Sequence, residues 1–414
     1  MARRPGLRRV AVDVRPLRHP DFRRLFIGQG VSFVGYQLTA VAVPVQMYAV
    51  TRSSFWVGLI GLAALVPLVV FGLYGGSVSD AVDRRLLYIA SSCLVWSVTG
   101  LLLLQALLSS GNRWVLLALV AVQSVGFALS SPVRGAIVPR LLDPELVPAG
   151  NTLNFTMSSL GAVAGPLIAG VVIANFDIAW AYGIDASLFT VGLYAALRLP
   201  SLPPLGEIVR PGLRSVLAGL SFIASRPVLL LSFAIDIVAM VLAMPRALFP
   251  EAAAAKFGGG GAVGWLFASI AIGSFLGGVS SGWIGRVRRQ GLALVLAVVA
   301  WGAAVALSGL AGSLWLAVVL LALSGAADLV SGVYRQTILQ TYAPDEMRGR
   351  MQGVFIVVVA GGPRLGDLRA GATAGAFGLT ASWVGGGVAC IVVALALAAA
   401  VPTLVRYRVD RVAD

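Results

Sequence analysis

The sequence predicts an all-α membrane protein with twelve transmembrane helices in two pseudo-symmetric six-helix halves. Three observations carry that expectation. Of 414 residues, 58% are hydrophobic and 12% charged, and the mean hydropathy is +0.92. A soluble domain carries about twice that share of charge, so this chain has too little polar surface to coat a soluble globule. Apolar stretches of about 20 residues recur, the length that takes a helix through the hydrocarbon of a bilayer. Finally, polar and glycine landmarks in the first half return 201 positions later.

Taken in order, residues 1–24 form a cytoplasmic basic segment containing Arg3, Arg4, Arg8, Arg9, Arg15, Arg18, Arg23 and Arg24. It lacks an apolar core, so no cleavable signal peptide is expected. The first half covers 25–198, with spans at 25–50, 55–79, 86–109, 114–137, 151–175 and 180–198. A linker at 199–227 begins Pro-rich, and from Gly212 it reads as a short amphipathic helix lying on the inner membrane surface. The second half covers 228–404, with spans at 228–249, 263–285, 291–310, 314–338, 352–375 and 382–404, followed by a tail at 405–414.

Orientation follows from the arginines. The N-terminus, the even-numbered loops and the tail hold nearly all of them, whereas the odd-numbered loops hold Arg52, Arg113, Arg246 and Lys256. Positive charge stays on the cytoplasmic side, which places both termini inside the cell membrane. The net charge of +14 therefore serves topology and contact with anionic lipid. Basic and aromatic residues are not interleaved as a nucleic-acid face requires, so no nucleic-acid partner is expected. Cys93 and Cys390 each lie in an apolar stretch and read as packing residues, and His19 lies in the basic N-terminal segment. No metal, cofactor or catalytic group is expected. The absence of a GxxxxGK[ST] loop leaves no site for ATP hydrolysis.

The repeat is specific in its order. A shift of 201 positions lays Gln123, Ser130 and Arg134 on Ser324, Ser331 and Arg335, and Glu145 on Glu346. It also lays Gly161, Gly165 and Gly170 on Gly362, Gly366 and Gly371. Duplicated halves around a midplane site mark secondary transporters.

Polar residues recur at helical spacing on four of the spans. Span one carries Gln29, Ser32, Tyr36, Thr39 and Gln46 on one stripe, and span four carries Gln123, Ser130 and Arg134. Span seven has Ser232 and Asp236 one turn apart, and span ten has Ser324, Asp328, Ser331 and Arg335. Such stripes face a bundle interior or a wet cavity. Any single Ser, Thr or Gln in them also fits helix–helix hydrogen bonding. A buried acid is costly without a role, so Asp236 and Asp328 are the first proton-coupling candidates and Asp367 the third.

Span eleven contains GGPRLGDLRAG, with Arg364, Asp367 and Arg369 near its middle. Each such charge costs about 2.5–3.5 kcal/mol facing lipid, more than the neighbouring apolar residues offset. Arg364 and Asp367 are three apart and are expected to pair, structurally or as a protonatable couple. Arg369 points about 200° from Asp367 and is expected to snorkel outward.

Several motifs resemble the major facilitator superfamily. GGSVSDAVDRR (75–85) is similar to its cytoplasmic signature, with Gly76, Asp80, Arg84 and Arg85 in the matching places and Asp83 where many members have Gly. GAVAGPLIAG (161–170) resembles the span-five antiporter signature through Gly161, Gly165, Pro166 and Gly170. ADLVSGVYRQT, PDEMRGRMQG and GPRLGDLRAG resemble the branch that holds enterobactin-type siderophore exporters and macrolide-efflux relatives. The resemblance implies a central cavity ringed by spans one, four, seven and ten. It also implies that Asp80 caps the inner end of span eleven near Gln352, and that Arg84 or Arg85 meets Asp143 or Glu145.

The expected function is secondary active efflux of a siderophore-like or other amphipathic anionic small molecule, exchanged for protons by alternating access. Lipophilic-drug efflux by the same fold is the alternative, with a non-transporting receptor or lipid scramblase behind it. The partners are the cargo, protons and the bilayer, acting on a monomer. The cavity candidates are Gln29, Ser32, Tyr36, Thr39, Gln123, Arg134, Ser232, Ser324, Arg335 and Arg364.

Overall fold

The structure is a computed structural model that describes residues 13–203, 220–342 and 345–407; the side chains at 73–81, 342 and 345–357 lie outside the described set. The expected amphipathic helix from Gly212 lies outside the described residues up to 219 and is helical at 220–224, where they resume; the surroundings of Gly76 and the side chains of Asp80, Glu346 and Gln352 also lie outside the described set.

Twelve long helices are present among the described residues: α1 (Pro20–Thr51), α2 (Ser54–Ala81), α3 (Arg84–Leu107), α4 (Arg113–Leu141), α5 (Val147–Asn175), α6 (Ile178–Leu197), α7 (Pro227–Ala243), α8 (Gly260–Val279), α9 (Gln290–Gly309), α10 (Leu314–Tyr342), α11 (Asp345–Phe377) and α12 (Leu379–Ala400). Among the described residues, ten helical segments are long and apolar enough to cross a membrane. They correspond to all of these except α6, which carries Asp185, and α11, which carries the charges noted above. Both are nevertheless packed into the bundle, α6 chiefly against α1 and α11 chiefly against α2.

Local chemistry sets the helix ends. Asp83, Asn112 and Asp177 cap α3, α4 and α6, each accepting a hydrogen bond from a backbone N–H in the first turn. Gly378, at φ +86°, makes the one-residue joint between α11 and α12 that an L side chain rarely adopts. Span seven ends earlier than expected. Helix α7 stops at Ala243, Pro245 precedes a 3-10 turn (Arg246–Leu248), and Pro250 lies in the first turn of a short helix (Phe249–Ala255). Proline lacks the N–H that continuing the helix would need.

The duplicated glycines do duplicated work. Gly161 and Gly165 on α5 press against Phe33 and Gln37 of α1, while Gly362 and Gly366 on α11 press against Met240 and Met244 of α7. Gly170 meets Gly264 of α8, and Gly371 meets Ser54 and Gly58 of α2. The third glycine of each set thus joins one half to the other. Helix pairs α2–α11 and α5–α8 are the main contacts between halves, related by the same pseudo-twofold. Small residues let backbones approach where no hydrophobic effect drives helices together.

These inter-half approaches lie toward the end distal to the chain termini. A Cβ on Gly58 would lie 2.6 Å from the Asp367 carbonyl, and one on Gly61 would lie 2.5 Å from that of Arg364. A Cβ on Gly264 would lie 2.6 Å from the Pro166 carbonyl. Ser54 Oγ at the start of α2 donates to Glu251 on the short helix after α7, adding a polar latch at the same end. Trp56 and Trp114 meet edge to face there, with the Arg113 guanidinium 4.3 Å from the Trp56 ring. Such aromatic clusters sit at membrane–water boundaries.

Candidate functional site

A cavity of about 1230 Å³, including its mouth, lies between the halves. Helices α1, α2, α4, α8 and α11 and the turn after α7 all contribute to it. Tyr36, Thr39, Gln123, Arg364 and Asp367 from the sequence candidates line it, together with Arg246. A second, smaller cavity inside the first half is lined by Gln29, Ser32, Tyr36, Gln123, Arg134 and aromatic residues. Tyr36 and Gln123 border both.

The expected Arg364–Asp367 pair does not form. Arg364 Nη1 instead donates to the Ala360 carbonyl one turn back on its own helix. Asp367 accepts from the Ala247 N–H, while its Oδ1 is buried without a hydrogen-bond partner. The charges acting on Asp367 are the Arg246, Arg364 and Arg369 guanidiniums, with Arg246 the foremost. Arg246 comes from the turn that replaced the end of span seven. Its sequence position gave it to an outer loop, so its place in the cavity was not legible.

Arg369 does not snorkel. It is half-buried and donates from Nε to the Val241 carbonyl at 3.1 Å, from Nη1 to the Ser382 carbonyl at 3.2 Å, and from Nη2 to the Leu242 carbonyl. Two of these are unsatisfied end carbonyls of α7, where a cation is favoured by both hydrogen bonding and the helix dipole. The early end of α7 created that site.

In the second half the ionic pairing is the reverse of the expected one. Arg335 on α10 contacts Asp236 on α7 directly and lies 3.8 Å from Asp328, with Arg335 and Asp236 both buried. Asp236 and Asp328 are therefore the paired acids, and Asp367 is the one without an ion-pair partner. Arg335 belongs to this buried cluster and does not border either cavity. Ser232 and Ser324 border neither cavity, and each donates within its own helix, to the Leu229 carbonyl at 2.8 Å and the Leu321 carbonyl at 2.7 Å.

The α1 stripe divides between two tasks. Gln29, Ser32 and Tyr36 face the cavities. Gln46 accepts from Tyr182 of α6 at 2.7 Å, and Thr39 donates to Asp185 of α6 at 2.6 Å. Thr99 lies 3.4 Å from the same carboxylate oxygen. Asp185 is 1% exposed, and its other oxygen has no partner. Sequence reading passed over it, although a lone acid within a span was the signal that could have flagged it.

At the end near the termini, the resemblance-based pairing is not seen. Arg85 Nη2 donates to the Leu197 carbonyl at the end of α6 at 2.8 Å, and Glu145 is exposed. Arg84 donates its backbone N–H to the Leu202 carbonyl at 3.1 Å. Asp83 organises this corner. It accepts from the Arg85 N–H at 2.8 Å, Ser201 Oγ at 2.7 Å and the Leu202 N–H at 3.1 Å. Partial burial pushes its carboxyl up, but these donors together outweigh it and hold the group below the ordinary carboxylate value.

Comparison with known proteins places this geometry. Residues 11–409 match the family described as transmembrane secretion effector. The enterobactin exporter EntS of Shigella boydii serotype 18 is 30% identical over 399 residues, covering 94% of each chain, and EntS of Escherichia coli O139:H28 aligns equally well. Among solved structures, the nucleoside transporter NupG superposes with a TM-score of 0.76 at 14% identity, over 94% of this chain and all of NupG. A bacterial homologue of the human lysosomal transporter Spinster gives 0.68 at 16% identity, over 95% of this chain and 97% of its own.

Proposed function

The chain belongs to the transmembrane secretion effector family, a group of multi-pass transporters of the major facilitator type, and from that premise we propose that it exports an amphipathic, anionic small molecule in exchange for protons. The observation that carries this reading is the cavity between the halves, where Arg246 and Arg364 face a single carboxylate, Asp367. Two guanidiniums against one carboxylate leave the site positive, which suits an anion and disfavours a cationic drug. The apolar part of the lining, from Val43, Val57, Ile60 and Phe267, suits the rest of an amphipathic cargo. The relatives' name, enterobactin exporter, supports a siderophore-like cargo.

The glycine contacts close the distal end, and the arginine distribution assigns that end to the cell exterior. This is then the inward-facing state, and rocking of one six-helix half on the other alternates access. The halves are 25–198 and 228–404, joined by the linker 199–227. Asp367 is the coupling carboxyl, because it lines the cavity and changes the charge of the site when it takes up a proton, whereas Asp236 and Asp328 are held by Arg335. An inside-negative potential adds about 2.3 kcal/mol per 100 mV for each negative charge that leaves.

The experiment is transport by the full chain in proteoliposomes under an imposed pH gradient, with and without ATP. Export should follow the gradient and ignore ATP, with cargo movement matched by proton movement. Export that requires ATP and is indifferent to the gradient would overturn the proposal.

A further inference from the structure

The smaller cavity, about 600 Å³ with its mouth, is walled by α1, α3, α4 and α6. Its back wall is flat. The Phe33 and Tyr36 rings stack at 6.4 Å and 26°, and the Tyr36 and Phe127 rings at 5.9 Å and 16°. The Arg134 guanidinium carbon lies 5.5 Å from the Phe127 ring centre, at the end of this ladder. Near-parallel rings at these separations are favourable in themselves and present a face on which a further flat ring can stack.

Two polar groups beside that wall lack partners. Ser32 Oγ and Gln123 Nε2 are buried, and neither makes a hydrogen bond. Buried polar atoms are nearly always satisfied in folded proteins, so these two await an occupant. Arg134 faces no carboxylate among the described residues, and no acid lines the cavity. The amide nitrogen, the hydroxyl and the guanidinium can all donate, so the complementary group is an acceptor. The combination selects a flat ring with an anionic or acceptor-rich substituent and rejects a cation.

We propose that this pocket is a binding subsite for a planar aromatic ring bearing a carboxylate or an equivalent acceptor group. The ring lies on the Tyr36–Phe127 face, and the substituent meets Arg134, Gln123 and Ser32. Assigning that ring to the exported molecule rests on the export reading. Tyr36 and Gln123 border both cavities, so one cargo reaches the guanidiniums of the central cavity and this pocket together.

The test is equilibrium binding of small probes to the purified full chain in nanodiscs, with no gradient imposed. Salicylate and benzoate are compared with cyclohexanecarboxylate, which has the same charge without the flat ring, and with benzylamine, which has the ring with the opposite charge. The two aryl carboxylates should bind saturably, the cyclohexane acid more weakly by at least about tenfold, and benzylamine not at all. Arg134→Gln should weaken salicylate by about tenfold or more, whereas Arg113→Gln, which lines neither cavity, should leave it unchanged. Should Arg134→Gln fail to fold, Phe127→Leu removes the stacking face and must show the same loss. Equal binding of planar and non-planar acids, unchanged salicylate binding in a folded Arg134→Gln or Phe127→Leu variant, or no saturable binding would each overturn the proposal. Because binding needs no gradient, a failure of proton-driven export leaves this result intact, and the reverse holds as well.

Discussion

The buried Arg335 guanidinium contacts Asp236 and lies near Asp328, so removing one of these acids differs physically from removing Asp367. Breaking a buried pair leaves an uncompensated charge and costs about 3–5 kcal/mol. Asp236→Asn should therefore sharply reduce the amount of folded protein in the membrane, and adding Arg335→Met should restore it. Asp367 has no ion-pair partner to strand. Asp367→Asn should accumulate normally and hold an anionic cargo at least as tightly, since both guanidiniums stay with the cargo, but its export should no longer follow the pH gradient. Membrane abundance and gradient-driven flux decide this, and poor accumulation of Asp367→Asn beside normal Asp236→Asn would reverse the assignment. Asp83 makes a prediction of its own. Its carboxyl is held below the ordinary value, so its stabilising bonds are complete above about pH 4 and lost as pH falls through the lowered value. Asp83→Ala should lower the melting temperature by a constant amount between pH 8 and 5, and the difference should vanish in stronger acid. A difference that instead grew on acidification would contradict this.

At the scale of the helices, α2–α11 and α5–α8 meet where glycines permit backbone contact. A methyl group on Gly264 would overlap the Pro166 carbonyl, and one on Gly58 the Asp367 carbonyl. Overpacking of this kind costs about 1–3 kcal/mol, enough to shift a two-state equilibrium by about 5- to 150-fold. The cost is met only while the distal ends are together, so Gly264→Ala and Gly58→Ala should favour the opposite-facing state. Alkylation of Val57→Cys by an impermeant reagent added from outside should accelerate by about that factor, in a chain without Cys93 and Cys390. Unchanged alkylation in a normally abundant variant would show that these contacts do not set the closure.

For the molecule as a whole, the charge asymmetry carries a prediction of how the bundle sits in the bilayer. Arg84, Arg85, Arg140 and Arg198 cluster at the end that holds the termini, and Arg85 and Arg140 cap carbonyls at Leu197 and Pro203 there. A cysteine at Ser110, in the turn between α3 and α4, should react with impermeant reagents in intact cells. A cysteine at Ser201 should react only once the membrane is opened. The opposite pattern would invert the topology and exchange the two sides of the proposed cycle.

The sequence by itself determined the solvent, the helices and the duplication. Composition and apolar run length are properties of the chain, and the spacing of Gly161, Gly165 and Gly170 against Gly362, Gly366 and Gly371 is a repeat that needs no structure to be read. It also marked Gln29, Ser32, Tyr36, Gln123 and Arg134 as cavity candidates, and these five line one pocket. Only the tertiary structure decided which charges pair. Periodicity places a residue on a face of its own helix, but it does not say which helix that face meets. The α1 stripe is about 100° wide. That width lets Gln29, Ser32 and Tyr36 look into cavities while Gln46 turns to Tyr182 of α6, and Thr39 borders the central cavity with its hydroxyl on Asp185. For the same reason Arg364 and Asp367, three residues apart, stay unpaired, while Arg335 reaches Asp236 on another helix altogether. Spacing within one helix permits a pair without forming it, and a pair between helices depends on which side of each is buried against the other, which is settled only when all twelve have packed.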